Sequence, residues 1–211
     1  MREVIPTRSE ALALSEERQL LRDGHHFLDE KRTLLAGEML RQLAVYDDLK
    51  VKLDEARQLA LASLGQALER HGLDELQTQP QAARLMVRKS VVASFLGVRI
   101  MRPHRAADPV PARTSETEAG PLPTPELREA RAAFIRLARL SCEAGRVAGN
   151  LMRLAHEYRR TERRAKALEN VLMPELDVLL KHLLEQLDSM DQEEAVGVRV
   201  ASRSANQLSR S

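Results

Sequence analysis

The chain has 211 residues, a formal net charge of +2 and 30% charged residues, a near-balance that argues against a nucleic-acid binder working by charge excess alone. Aromatics are 2% and tryptophan is absent, so no aromatic-rich globular core is written here, and the abundance of Leu, Ala, Glu, Arg and Gln points to long helices or coiled coils. Cys142 is the only cysteine, which excludes an internal disulfide and fits a reducing compartment; the N-terminus lacks the apolar core of a secretory signal, and no apolar run approaches the roughly 20 residues that span a bilayer.

Pro6 fits the start of a helix, with Thr7 or Ser9 as its cap. From Arg8 to His71 the pattern is helical, and apolar residues recur seven apart. Leu14, Leu21, Leu28 and Leu35 form one row and Leu20, Phe27 and Leu34 the next. The seam continues through Met39, Leu43, Tyr46, Leu49, Leu53, Ala56, Ala60, Leu64 and Ala67 or Leu68. A seven-residue repeat held this long predicts a supercoil with another helix. Gly72 is expected to end the helix just past its last turn.

Residues 72–123 read as a small head. A short helical piece is expected around Pro80. The stretch from Ser90 to Met101 is β-branched, with Val98 and Ile100 alternating, and reads as one or two short strands in a hairpin. Prolines at 103, 109, 111, 121, 123 and 125 predict loop between them.

A second long helix, 124–194, starts at Thr124-Pro125-Glu126: a cap, a proline at the first helical position and an acid at the positive end of the helix dipole. One row is Leu127, Phe134, Ser141, Ala148 and Ala155. The other is Ala130, Leu137, Ala144, Leu151, Tyr158, Ala165, Leu172 and Leu179. Small residues at 144, 145, 148, 149 and 155 predict close approach of a partner helix, and Cys142 falls on the apolar side as a structural thiol. Pro174 removes a backbone hydrogen bond and is expected to bend the helix. The pattern fades after Glu194, leaving 195–211 as a flexible tail. The fold class is therefore all-α dominated: a long antiparallel two-helix coiled coil with a small central head carrying a short β-hairpin.

No phosphate loop, zinc-helix motif or nucleophile elbow occurs. His25 and His26 are adjacent, so a helix splays them apart and a shared metal is not expected. Arg159, Arg160, Arg163, Arg164 and Lys166 form a dense basic cluster, which by spacing alone reads as a solvated face paired with Glu157, Glu162 and Glu169. Residue pattern alone also leaves open a nucleic-acid-binding helical arm or a generic coiled-coil adaptor.

Three stretches resemble the D subunits of the V-type and A-type rotary ATPases. They are Pro6-Thr7-Arg8 with Leu21-Arg22-Asp23-Gly24 and Leu28 to Arg32; Gly97-Val98 with Pro103; and Tyr158-Arg159-Arg160-Thr161 through Arg163-Arg164-Ala165-Lys166-Ala167-Leu168-Glu169-Asn170-Val171-Leu172-Met173-Pro174. The family's "V-N" is Ala165-Lys166 here, and its aromatic, basic C-terminal segment is replaced by residues 194–199. The resemblance implies a non-catalytic central-stalk rotor shaft without cofactor or metal. It implies a cytoplasmic location, peripheral to the membrane through the complex, in a machine of ATP synthesis and hydrogen ion transport. The implied partners are the catalytic and non-catalytic ring subunits (A and B), the small F subunit of the stalk and an adaptor on the membrane rotor ring, with no direct nucleic acid. It turns Arg159, Arg160, Arg163, Arg164 and Lys166 into ring-contact candidates, and Phe95, Val98 and Ile100 into head partner-contact candidates.

Overall fold

The computed structural model describes residues 5–77, 90–103 and 124–208, with side chains to residue 200. The expected helix around Pro80 beyond Gln77, and the loop over residues 104–123, lie outside the described residues. The elements in chain order are α1 (Arg8–Gln77), β1 (Ser90–Phe95), β2 (Val98–Pro103), α2 (Pro125–Ala167), a π-helical turn (Leu168–Leu172) and α3 (Met173–Leu208). The chain divides into two compact units, one of Met1–Thr33 with Arg159–Ser211 and the other of Leu34–Tyr158.

In the first unit the beginning of α1 pairs with the end of α2 and with α3. Thr7 caps α1: its Oγ1 accepts from the Glu10 N–H at 3.3 Å and its carbonyl from the Ala11 N–H at 3.1 Å. This satisfies donors that a helix start otherwise leaves free. Leu14, Leu176 and Leu183 form the core, with Ala11, Leu21, Leu180 and Leu187 packed against it. The pairing is antiparallel, since Arg8 bridges Asp191, Arg18 bridges Asp177 and His25 approaches Glu169. The row Leu14, Leu21, Leu28 lies inward as the period predicts. The second expected row does not: Leu20 is 71% and Phe27 64% exposed. The inward row is Ala11, Arg18 and His25 instead, and the last two meet carboxylates across the seam.

Pro174 acts through the π-turn. A proline has no N–H and its ring crowds the carbonyl four residues back. Here the preceding residues widen to five-residue hydrogen bonding, and the Met173 N–H donates to the Leu168 carbonyl. Such a turn inserts one extra residue into the helix, and the seam records it. Thr161 and Leu168 lie seven apart, but the next inward residue is Leu176, eight on, followed by Leu183. The other row steps from Ala165 to Met173, then to Leu180 and Leu187. Leu172, expected on the seam, is exposed for this reason. Beyond Glu194, where a flexible tail is expected, α3 runs on to Leu208; Ala and Arg sustain helix there despite Gly197.

In the second unit α1 pairs with α2. One core joins Leu49, Ala144 and Val147 with Tyr46, Leu140 and Leu151. A second joins Leu35 and Leu154 to Val98 and Ile100 of the hairpin, with Met39, Ala93, Phe95 and Tyr158 at its edge. Along α2 the row Ala130, Leu137, Ala144, Leu151 faces inward as expected. Its companion is Ala133, Leu140, Val147 and Leu154, one residue earlier than the expected Leu127, Phe134, Ser141, Ala148 and Ala155. Phe134 is consequently exposed, and so is Cys142. Gly145 is exposed as well and has nothing within contact distance, so the close helix approach expected of it does not occur.

Gly72 breaks the helical run of α1 with φ 73°, in the left-handed region where glycine pays no steric penalty. Next to it the end of α1 is tied to the start of α2. His71 Nε2 lies 2.8 Å from Thr124 Oγ1, its Nδ1 lies 3.1 Å from Glu75, and Arg70 pairs with Glu126. A backbone N–H at the helix start, together with the Arg70 charge and hydrogen bond, holds the Glu126 carboxyl below its ordinary value of 4.5. A lowered native pKa favours folding where the group is ionised, so this contribution is present above pH 4.5 and is lost as pH falls through the native value. Wild type is therefore expected to melt above Glu126→Gln at pH 7, with the two melting curves converging in acid; a gap independent of pH would contradict it.

Candidate functional site

Two surfaces carry the residues singled out by the sequence. The first is the basic cluster on the last turns of α2. Thr161 and Ala165 are its inward residues, each buried, so helical geometry turns Arg159, Arg160, Arg163 and Arg164 outward, and all four are exposed. Lys166 pairs with Glu162 at 2.9 Å. That hydrogen bond and charge, aided by Arg32, hold the Glu162 carboxyl below its ordinary value. Arg163 Nε donates to the Arg159 carbonyl at 3.4 Å. Among the described residues Arg159, Arg163 and Arg164 have no carboxylate partner, while Lys166 holds Glu162, so the pairing expected with Glu157, Glu162 and Glu169 does not extend to these three arginines. In the same unit Leu20, Phe27 and Val178 present large apolar side chains to solvent.

The second surface is the hairpin. β1 and β2 pair antiparallel from Ser90↔Pro103 to Phe95↔Val98. The two-residue loop Leu96–Gly97 has φ of 49° and 86°, the pattern of a type I′ turn, whose twist matches that of the strands. Strand alternation sends Ala93, Phe95, Val98 and Ile100 toward the helices and Val92, Ser94, Arg99 and Met101 outward. Ile100 is fully buried and Val98 nearly so. The expectation that Val98, Ile100 and Phe95 meet a partner is thus corrected: Val98 and Ile100 lie inside the chain's own core and Phe95 packs against it, because they belong to the face that closes on Leu35 and Leu154. The hairpin residues that face outward are Val92, Arg99 and Met101, with Leu96 at the tip.

What docks the hairpin was not read from the sequence. Asn150, 1% exposed, uses its carboxamide as a neighbouring strand would use a peptide group. Its Oδ1 accepts from the Met101 N–H and its Nδ2 donates to the Met101 carbonyl, both at 2.8 Å. Arg146 adds a bond to the same carbonyl at 3.0 Å, and Arg153 donates to Asn150 Oδ1 at 2.8 Å. Both outward backbone groups of Met101 are thereby satisfied at the β2 edge, a place where open strands invite pairing. No signal in the sequence marked it, since Asn150 shares its helix row with Glu143 and Glu157 and reads as one more polar position.

His25 faces Glu169 at 3.9 Å and His26 faces Glu30 at 3.4 Å; among the described residues no group of three His, Cys, Asp or Glu side chains could hold a metal ion. No described helix is long and apolar enough to cross a membrane.

Comparison with known proteins places these features in a family. The family model that describes the ATP synthase D subunit matches residues 10–203. The V-type ATP synthase D subunit of Thermotoga neapolitana is 25% identical over 90% of this chain and 93% of its own length. The second V-type ATP synthase D subunit of Treponema pallidum is 27% identical over 89% of this chain and 88% of its own. The A-type ATP synthase D subunit of Thermococcus gammatolerans is 29% identical over 90% and 89%. With a match spanning nearly its whole length, paired long helices and a mid-chain hairpin, the chain belongs to the family of ATP synthase D subunits.

Proposed function

We propose that this chain is the non-catalytic central shaft of a V/A-type rotary ATPase and transmits torque between the nucleotide-handling ring and the membrane rotor. The observation that carries the reading is the character of the first unit. Its helix pair closes on a narrow leucine core flanked by ion pairs at the solvent edge, Arg18 with Asp177 and Arg8 with Asp191, while Leu20 and Phe27 point outward. An isolated coil would cover those two side chains, because exposed apolar area is a cost in water. An outward apolar row suits a shaft enclosed by a protein sleeve. Arg159, Arg163 and Arg164 add charge on one sector, so the surrounding A and B ring subunits meet a different face of the shaft at each angle. The small F subunit and the membrane adaptor are the remaining partners, and the membrane association is indirect.

The test is the double substitution Arg163→Ala with Arg164→Ala in the assembled complex. Neither side chain holds a carboxylate among the described residues, so the fold is expected to survive. ATP hydrolysis is expected to continue while ATP-driven ion pumping drops about tenfold, the loss of one or two charge-assisted contacts. Unchanged pumping per ATP would overturn the role of this cluster.

A further inference from the structure

In the first unit the two paired helices are weakened at the same level. On one side stands the π-turn, Leu168–Leu172, in which no residue is buried. Its wider hydrogen bonding and the missing Pro174 N–H interrupt the ladder that stiffens a helix. Facing it on α1 is Gly24. A Cβ built there would stand 4.0 Å from Leu168 Cδ1, an ordinary contact, and Gly24 does not adopt a positive φ. Neither crowding nor backbone conformation therefore calls for glycine, which weakens a helix interior by about 1 kcal/mol relative to alanine.

Packing thins out at this level too. No residue of α1 from 15 to 33 is buried, and none from 166 to 175. Across the seam His25 approaches Glu169 at 3.9 Å, too far for a hydrogen bond. Firm contacts resume on either side. Leu14, Leu176 and Leu183 form a core flanked by the Arg18–Asp177 and Arg8–Asp191 ion pairs. In the other direction Thr161 and Ala165 are buried. A stretch with a broken ladder and few buried contacts opens more readily than its surroundings.

We infer that Gly24 and the π-turn form a flexible joint, at which the leucine-clamped end of the helix pair bends and twists relative to the basic cluster at 159–164. The joint lets that end follow a surrounding ring whose shape changes during turnover, while the seam on either side stays closed. This use of the joint rests on the shaft reading above; the joint itself does not.

Hydrogen exchange on the free full chain tests the joint. Amides at 169–173 are expected to be protected about tenfold less than those at 159–165 and 177–185. Deleting Asn170 together with Pro174→Ala shortens the eight-residue step from Leu168 to Leu176 to seven, so the seam contacts are kept while the π-turn becomes α-helix. The weakly protected stretch is then expected to disappear. Assembly with the ring is expected to be unchanged, and ATP turnover of the complex to fall roughly threefold. Gly24→Ala, which keeps the chain length, is expected to slow exchange at 22–28 about fivefold and to lower turnover in the same direction. Uniform protection through 159–185 in wild type overturns the joint, and turnover unchanged despite slowed exchange overturns its use. If the shortened chain does not fold, Gly24→Ala decides by the same two readings. Wild type that shows the weakly protected stretch but does not assemble with the ring overturns the shaft reading and leaves the joint standing.

Discussion

Asn150→Ala is expected to release the hairpin from α2. The Met101 N–H and carbonyl both point at the Asn150 carboxamide, at 2.8 Å each, and alanine offers neither partner. The Arg153 guanidinium loses its acceptor as well. Leaving a buried polar group unpaired costs about 1–3 kcal/mol, so two such groups put the loss at about 2–6 kcal/mol, less what Arg146 recovers at the carbonyl. The measurement is the urea midpoint together with hydrogen exchange at the Met101 amide, which is expected to lose protection before the helices do. Asn150→Asp provides the control. It keeps an acceptor for the Met101 N–H but sets a negative oxygen against the Met101 carbonyl, so it is expected to be destabilised as well. A loss under about 1 kcal/mol in both variants, with the Met101 amide still protected, would mean that apolar packing of Val98 and Ile100 alone holds the hairpin.

The second large effect separates two similar-looking apolar residues. Leu154 is fully buried among Leu35, Val98 and Ile100, and Leu154→Ala is expected to cost about 2–5 kcal/mol through lost burial and a residual cavity. Phe27 is larger but 64% exposed, and Phe27→Ala is expected to change stability by only about 0.5 kcal/mol. In the assembled complex the order of consequences should differ. Phe27→Ala is expected to weaken ring association while Leu154→Ala, where it still folds, leaves it intact. A Phe27→Ala loss as large as that of Leu154→Ala would return Phe27 to the seam and remove the apolar outer row on which the shaft reading rests.

The family residues at Tyr158–Pro174 were readable because they are consecutive and chemically dense, and the family model extends over them. Which hairpin residues face outward was not readable. Val98 and Ile100 announced a strand, but alternation cannot say which of its two faces the helices will cover. They lie inward, which leaves Val92, Arg99, Met101 and the Leu96 tip outward. Asn150 was equally silent, since a polar residue on a helix declares its partner only when a distant backbone edge arrives beside it.

The seven-residue period was by itself enough to establish that this chain forms long paired helices, because a sustained apolar repeat is stable only when another helix covers it. The capping residue Thr7, the helix break at Gly72 and the start of α2 at Pro125 were likewise local matters of backbone and hydrogen-bond chemistry. What the period could not supply was its phase. On α2 both Ala133 and Phe134 complete an alternating three-and-four spacing with Ala130 and Leu137, and on α1 His25 competes with Phe27 for the inward place. Tertiary structure chose Ala133 and His25, because the facing helix offers Glu169 to His25 and the hairpin fills the space beside Leu154. It also set the one-residue slip at the π-turn ahead of Pro174, where the missing N–H is absorbed by widening the helix and the seam resumes at Leu176. Periodicity is a property of one helix, whereas phase is decided by the surface that the helix meets.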